Sequence, residues 1–142
     1  MDLKEKIRSI PDFPIKGVLF RDITTLLKDK EGYHELISTI ADSLRDRQVD
    51  LVIGPEARGF VIGAALAYAL GAGFVLARKP GKLPCETMRY EYGLEYGSDV
   101  LEIHTDSIKP GQKVVIVDDL LATGGTALAT VKLVEQAGGE VV

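Results

Sequence analysis

The 142-residue sequence predicts an α/β fold, a twisted and mostly parallel sheet flanked by helices. Three observations carry that expectation. Val114-Val115-Ile116-Val117 is a run of β-branched apolar residues with no polar alternation, which reads as a strand covered on both faces. Leu51-Val52-Ile53 is a shorter buried run, and both runs lead through a glycine-containing turn into a stretch that reads as a helix. The resulting order of strand, turn, helix and strand is that of βαβ units.

Taken along the chain, Ile10 to Ile23 holds too many breakers for a helix and too many apolar residues for a solvated tail, so residues 1–24 read as a covering arm. Tyr33, Leu36, Ile37, Ile40, Ala41 and Leu44 recur at three- and four-residue steps, which predicts an amphipathic helix from Glu31 to Arg47. After the strand at 51–53 come an apolar helix, Phe60 to Leu70, and a second strand, Phe74 to Ala77. Pro80, Gly81 and Pro84 then exclude a helix or a central strand. They predict a loop from Arg78 that continues to Ser98 through Tyr90, Tyr92, Gly93, Tyr96 and Gly97, a length that is usually functional or disordered. Val100 to Ile103 reads as another strand. The turn Lys109-Pro110-Gly111 opens the strand at 114–117, and Leu128, Val131, Leu133 and Val134 place a helix over Thr126 to Gln136. With no repeat, low-complexity tract or linker, the chain is expected to be one domain over 1–142, with the arm at 1–24, an α/β core at 25–142 and a flexible lid at 78–98.

Composition narrows the function. A net charge of −4 argues against general nucleic-acid binding, which needs clustered Lys and Arg. No apolar run approaches the ~20 residues that span a bilayer, and Met1 to Lys6 lacks the apolar core of a signal peptide, so a soluble cytoplasmic protein is expected. The single cysteine, Cys85, excludes an internal disulfide and fits a reducing compartment. His34 and His104 lie far apart without ligand spacing, so no metal is expected to be held directly by the protein. An anionic ligand would need a local basic cluster, and Arg78, Lys79, Lys82 and Arg89 supply one around Glu86. That cluster is either a solvated basic hairpin or a mobile cationic lid over a polyanionic substrate.

The most informative stretch is Val117 to Thr126. Asp118 and Asp119 sit at the C-terminal end of a strand, where open α/β sheets bind ligands. Ala122 to Thr126 is a tight turn entering a helix, and its backbone N–H groups with the Thr123 and Thr126 hydroxyls suit a phosphate. The lysine of a Walker-type loop and the three spaced glycines of a dinucleotide fingerprint are missing. Paired acids directly before such a turn suit vicinal hydroxyls, so the pattern reads as a ribose 5-phosphate site; the alternative is a strand end with solvated acids and a Gly-Gly turn. Gly54 to Gly59 occupies the equivalent position on its own strand, where Arg58 with the N–H groups of Gly59 and Phe60 would form a second anion site.

Val117 to Thr126 resembles the phosphoribosyl-pyrophosphate motif of the type I phosphoribosyltransferases, and Asp118-Asp119-Leu120-Leu121-Ala122-Thr123-Gly124-Gly125-Thr126 is most similar to the adenine-specific members. Gly54 to Gly59 is similar to the family's pyrophosphate loop, and Phe13-Pro14 through Gly17-Val18 to Phe20-Arg21-Asp22-Ile23 resembles the hood that recognises adenine. The resemblance implies the type I phosphoribosyltransferase fold with an N-terminal hood and a flexible lid. It implies condensation of adenine with phosphoribosyl pyrophosphate to AMP and pyrophosphate. In that reading Ala122, Thr123, Gly124, Gly125 and Thr126 bind the 5-phosphate, and Asp118 and Asp119 the ribose. Glu56, Ala57, Arg58 and Gly59, with Arg78, Lys79 and Lys82, bind pyrophosphate, and a non-proline cis peptide at Glu56–Ala57 aims N–H groups at it. Backbone groups near Leu19 and Arg21 read the purine edge, with Phe20 and Leu120 on its faces. Leu94-Glu95-Tyr96-Gly97 is similar to the family segment whose glutamate serves as general acid/base, so Glu95 joins Arg58 as a catalytic candidate. The alternative for Glu95 is a solvated loop carboxylate, because Glu86, Glu91 and Glu102 lie nearby. Mg²⁺ is implied as the cofactor, held mainly through substrate with Asp119 acting through water, and the partner is implied to be a second copy in a homodimer. The sequence stops at Gly138-Gly139-Glu140-Val141-Val142 as another strand begins, whereas family members continue, so the C-terminal part of the family fold is expected to be absent. The competing functions are transfer to another base and a non-catalytic phosphoribosyl-pyrophosphate-binding regulator.

Overall fold

The computed structural model describes residues 2–94, 97–118 and 125–142, and for 93, 94 and 97–99 the backbone alone. The chain forms two compact units, Met1–Asp42 and Ser43–Val142. Among the described residues no helix is long and apolar enough to cross a membrane.

In the first unit the breaker-rich arm is an antiparallel ribbon. β1 (Arg8–Pro11) pairs with β2 (Leu19–Asp22), Arg8 opposite Asp22 and Pro11 opposite Leu19. The breakers fall in the connection, where Asp12 and Gly17 take φ values of 57° and 90°, a region that Asp and Gly tolerate better than other residues. The Asp12 carboxylate accepts the Gly17 N–H at 2.8 Å, and the Phe13 N–H donates to the Val18 carbonyl at 3.1 Å. The Phe13–Pro14 peptide is cis. At the other end of the ribbon the buried Asp22 carboxylate accepts from Arg8 Nε at 3.0 Å, from the Thr24 N–H at 2.9 Å and from the Thr24 hydroxyl at 2.7 Å. It thereby joins both strands to the short helix α1 (Thr24–Leu27). The Thr24 hydroxyl, then Arg8, hold this carboxyl down at about 2. Helix α2 (Lys30–Leu44) follows, and a 3₁₀ turn at Arg45–Arg47 completes the span expected to be helical. Gly32 of α2 admits Leu26 of α1, whose Cδ1 would lie 2.9 Å from an added Cβ.

The second unit contains β3 (Leu51–Pro55), α3 (Arg58–Leu70), β4 (Gly73–Ala77), β5 (Thr87–Leu94), β6 (Gly97–His104), β7 (Lys113–Ile116), α4 (Gly125–Gln136) and β8 (Glu140–Val141). Four of these strands make the expected parallel sheet in the order β4-β3-β7-β8. The chain steps from β3 through α3 to β4 on one side, and from β7 through α4 to β8 on the other. The winding therefore reverses between β3 and β7, and a crevice opens beyond the carboxyl ends of that pair. Ile53, Val75 and Val114 of the sheet are buried with Leu133 and Val134 of α4 and with Leu101 and Ile103 of β6.

One expectation is corrected. The loop expected from Arg78 to Ser98 is irregular only at its start: from Thr87 the chain enters β5, paired antiparallel with β6 from Thr87 opposite His104 to Leu94 opposite Gly97. The physical reason is alternation. Met88, Tyr90 and Tyr92 pack against the core while Arg89 and Glu91 are exposed, a two-residue period masked by the charges and glycines around it. Arg89 thus lies on the solvent face of a strand, not in a basic loop.

Candidate active site

The loop after β3 meets the end of β7 at Val117 and Asp118. Ile53 is in register with Ile116, so the ends of the two strands run out side by side. Gly59, in the first turn of α3, is buried against the end of β7: an added Cβ would come within 2.9 Å of Pro55 Cδ, 3.0 Å of the Val117 carbonyl oxygen and 3.5 Å of Asp118 Oδ1. Only glycine permits this approach, and it brings Arg58 and Gly59 next to Asp118. The Glu56–Ala57 peptide is cis, as the resemblance implied. Ala57 occupies the position before α3 and has no side-chain acceptor to close the helix's first turn, which leaves that turn suited to an external anion. Arg58 is exposed at the same end.

The basic residues reach this edge on an anchored arm, residues 78–86. Glu56 Oε1 accepts the Lys79 N–H at 2.6 Å and lies 3.4 Å from Arg78 Nε. The Lys79 N–H and then the Arg78 charge hold the Glu56 carboxyl below its usual range. The Glu56 carboxylate thus faces the arm. Arg78 exchanges both backbone hydrogen bonds with Glu102 of β6, and the Glu102 carboxylate accepts from the Gly81 N–H and the Thr87 hydroxyl. His104 Nε2 lies 2.8 Å from the Pro84 carbonyl. Lys79 and Lys82 are exposed.

At the start of α4, Gly125 and Thr126 occupy the first positions of the helix. Sequence reasoning missed Tyr92, whose hydroxyl is 3.4 Å from the Thr126 hydroxyl and so links the β5–β6 ribbon to the helix entrance. The polar tip of an otherwise core-facing tyrosine was the available signal. Asp119, Leu120, Ala122, Thr123, Gly124 and Glu95 lie outside the described residues. Leu19, Phe20 and Arg21 belong to the first unit: Leu19 is exposed, Phe20 meets Phe13 edge-on with ring centres 5.2 Å apart, and Arg21 donates to the Ser9 hydroxyl. Among the described residues no group of three or more His, Cys, Asp or Glu is placed to hold a metal ion.

The model of the phosphoribosyl transferase domain matches residues 22–142. The adenine phosphoribosyltransferase of Alkaliphilus metalliredigens is 64% identical over 142 residues, covering 100% of this chain and 84% of that protein. Among solved structures, the adenine phosphoribosyltransferase of Thermoanaerobacter pseudethanolicus superposes with a TM-score of 0.94 at 60% identity, covering 99% of this chain and 81% of that one. The Saccharomyces cerevisiae enzyme, complexed with an imino-altritol bisphosphate and adenine, gives 0.95 at 41% identity, with 99% and 82% covered. The crevice between β3 and β7 and the match over most of the chain lead to one conclusion: the chain belongs to the phosphoribosyl transferase family, among its adenine phosphoribosyltransferases.

Proposed function

We propose that the two loops at the β3–β7 crevice carry out the family's reaction, in which adenine N9 displaces pyrophosphate from C1 of 5-phosphoribosyl 1-pyrophosphate to give AMP. The observation that supports this reading is the approach of the α3 entrance to the end of β7 at Gly59, which sets Arg58 and the first turn of α3 beside Asp118. Cleavage at an anomeric carbon puts positive charge on the sugar and negative charge on the leaving group, through an oxocarbenium-like transition state. The protein's task is therefore chiefly electrostatic. Arg58, the first N–H groups of α3, and Arg78, Lys79 and Lys82 stabilise the departing pyrophosphate. Asp118 and Asp119 hold the ribose hydroxyls, and the turn from Ala122 to Thr126 receives the 5-phosphate. In the hood, Phe20 offers an apolar face and the backbone of β2 near Leu19 and Arg21 reads the edge of a heterocycle. Glu95 is assigned the proton transfer on adenine.

Mg²⁺ fits the Asp118 carboxylate at the end of β7 as an ion that keeps water and substrate oxygens for most of its ligands. When bound it would neutralise charge on pyrophosphate, with Asp118 and Asp119 holding it through water. A homodimer is supported by an apolar surface: Val61 and the 91% exposed Tyr68 on α3, with Leu76 exposed on the edge strand β4. A reducing cytoplasm suits the exposed free thiol of Cys85.

The test offers radiolabelled adenine, guanine and hypoxanthine with phosphoribosyl pyrophosphate, with and without chelator. AMP formed from adenine and lost on chelation is the expected result, and faster use of either other base overturns the assignment of the hood. In calorimetry, Asp118→Asn combined with Asp119→Asn should weaken phosphoribosyl-pyrophosphate binding strongly with an unchanged circular dichroism spectrum. Parent-like affinity would remove the ribose site.

A further inference from the structure

Glu102 stands between Leu101 and Ile103 of β6, two residues buried in the core, so strand alternation should turn it toward solvent. It is only 7% exposed. The arm covers it: Oε1 accepts the Gly81 N–H at 3.0 Å, Oε2 accepts the Thr87 hydroxyl at 3.1 Å, and the Glu102 backbone donates to and accepts from Arg78 at 2.8 and 2.9 Å. One residue thereby touches the start, middle and end of the segment that carries Arg78, Lys79 and Lys82. The donors it takes are neutral. Its carboxylate is spent on a backbone N–H and a hydroxyl, and the lysine side chains of the arm remain exposed at the protein surface. A buried carboxylate that collects neutral donors from a charged loop fixes the loop's course without tying up its cationic side chains in ion pairs.

We propose that Glu102 is a positioning residue for the reaction: it sets the path of the arm over β6 and so determines where Arg78, Lys79 and Lys82 present their charge to pyrophosphate. The inference rests on the assignment of this arm to pyrophosphate given above.

The test compares Glu102→Ala, Glu102→Gln and Lys82→Ala in the full chain, by steady-state kinetics in both directions together with thermal melts. Loss of the two side-chain bonds in Glu102→Ala should raise the KM for phosphoribosyl pyrophosphate, and for pyrophosphate in the reverse direction, about tenfold, with the adenine KM unchanged. Glutamine can accept the Gly81 N–H through its carbonyl and donate its amide N–H to the Thr87 hydroxyl, so Glu102→Gln should return both constants to within about threefold of the parent. A merely structural role would lower the melting temperature and move all constants together, without that rescue. The proposal is overturned if folded Glu102→Ala keeps parent-like constants for phosphoribosyl pyrophosphate and pyrophosphate, or if Glu102→Gln is as impaired as Glu102→Ala. Should Glu102→Ala not fold, Thr87→Val decides the matter. It removes one donor and leaves the acid, so it must raise the pyrophosphate KM about threefold; a parent-like value there overturns the proposal. Lys82→Ala separates the two readings. If it leaves the pyrophosphate KM unchanged, the assignment of the arm itself fails. If it raises that constant while Glu102→Ala does not, only the role of Glu102 fails.

Discussion

Two segments of the molecule are built from the same breakers and are held in opposite ways. The connection at 12–18, with Asp12, Pro14 and Gly17, closes on itself: Asp12 bonds Gly17, Phe13 bonds Val18, and Phe13 rests on Phe20. The arm at 78–86, with Pro80, Gly81 and Pro84, is held from afar, by Glu56 in the loop after β3 and by Glu102 and His104 on β6. Carboxylates do the holding in both. In the first case the acid and its donor are neighbours in the chain, and the turn is a local property. In the second the geometry exists only when the parallel sheet and the β5–β6 ribbon are both assembled, so folding of the core and aim of the cationic arm become one event.

That contrast can be broken at several points. The largest effect is expected from Gly59→Ala. Its Cβ would run into Pro55 and the Val117 carbonyl, forcing α3 and the adjoining Glu56 away from β7, and misplacement of this size should cost about 10²-fold in phosphoribosyl-pyrophosphate affinity by calorimetry. Glu56→Ala comes next. It cuts one long-range tie of the arm, so the KM for pyrophosphate should rise several-fold while the melting temperature barely moves. Equal losses in melting temperature and in all kinetic constants would show that the tie is structural and not directional.

The third experiment concerns acid in the first unit. The folded Asp22 carboxyl titrates at about 2 against an ordinary value of 3.8. Its network therefore contributes full stability above about pH 4 and loses that contribution as pH falls through about 2, because protonation removes the acceptor that Thr24 and Arg8 require. Melts across this window should fall more steeply for the parent than for Asp22→Asn, and parallel curves would exclude the network as the source. The smallest effect is expected from Asp12→Ala. It should lower the melting temperature slightly and leave the KM for phosphoribosyl pyrophosphate unchanged, since the turn it closes is local.

The same division explains what the sequence made legible. Continuous apolar runs announced β3, β4 and β7, three- and four-residue steps announced α2 and α4, the apolar stretch at 60–70 announced α3, and each of these elements falls close to its expected span. Arg58 and Asp118 were found because they follow such strands directly. The ribbon at 87–104 is hidden in the sequence because the breakers Pro80, Gly81 and Pro84 predict a loop that runs on through Gly93 and Gly97, while the alternation that turns Met88, Tyr90 and Tyr92 inward and Arg89 and Glu91 outward is short. Glu56 and Glu102 were legible as acids but not as anchors. Their partners lie far along the chain, Lys79 for Glu56 and Gly81 and Thr87 for Glu102, and only the folded sheet brings them together. Tyr92 facing Thr126 belongs to the same class. Residues whose role depends on a distant backbone N–H leave no local pattern to read.

The arm also carries the chain's single thiol. Cys85 is exposed, takes a φ of 65°, and follows Pro84, whose carbonyl lies 2.8 Å from His104. A maleimide dye would therefore attach at one defined place, on a backbone fixed by β6 and within the segment that bears Lys79 and Lys82. These 142 residues thus offer one site for fluorescent labelling, and the arm can be watched while the charges beside it are titrated with pyrophosphate.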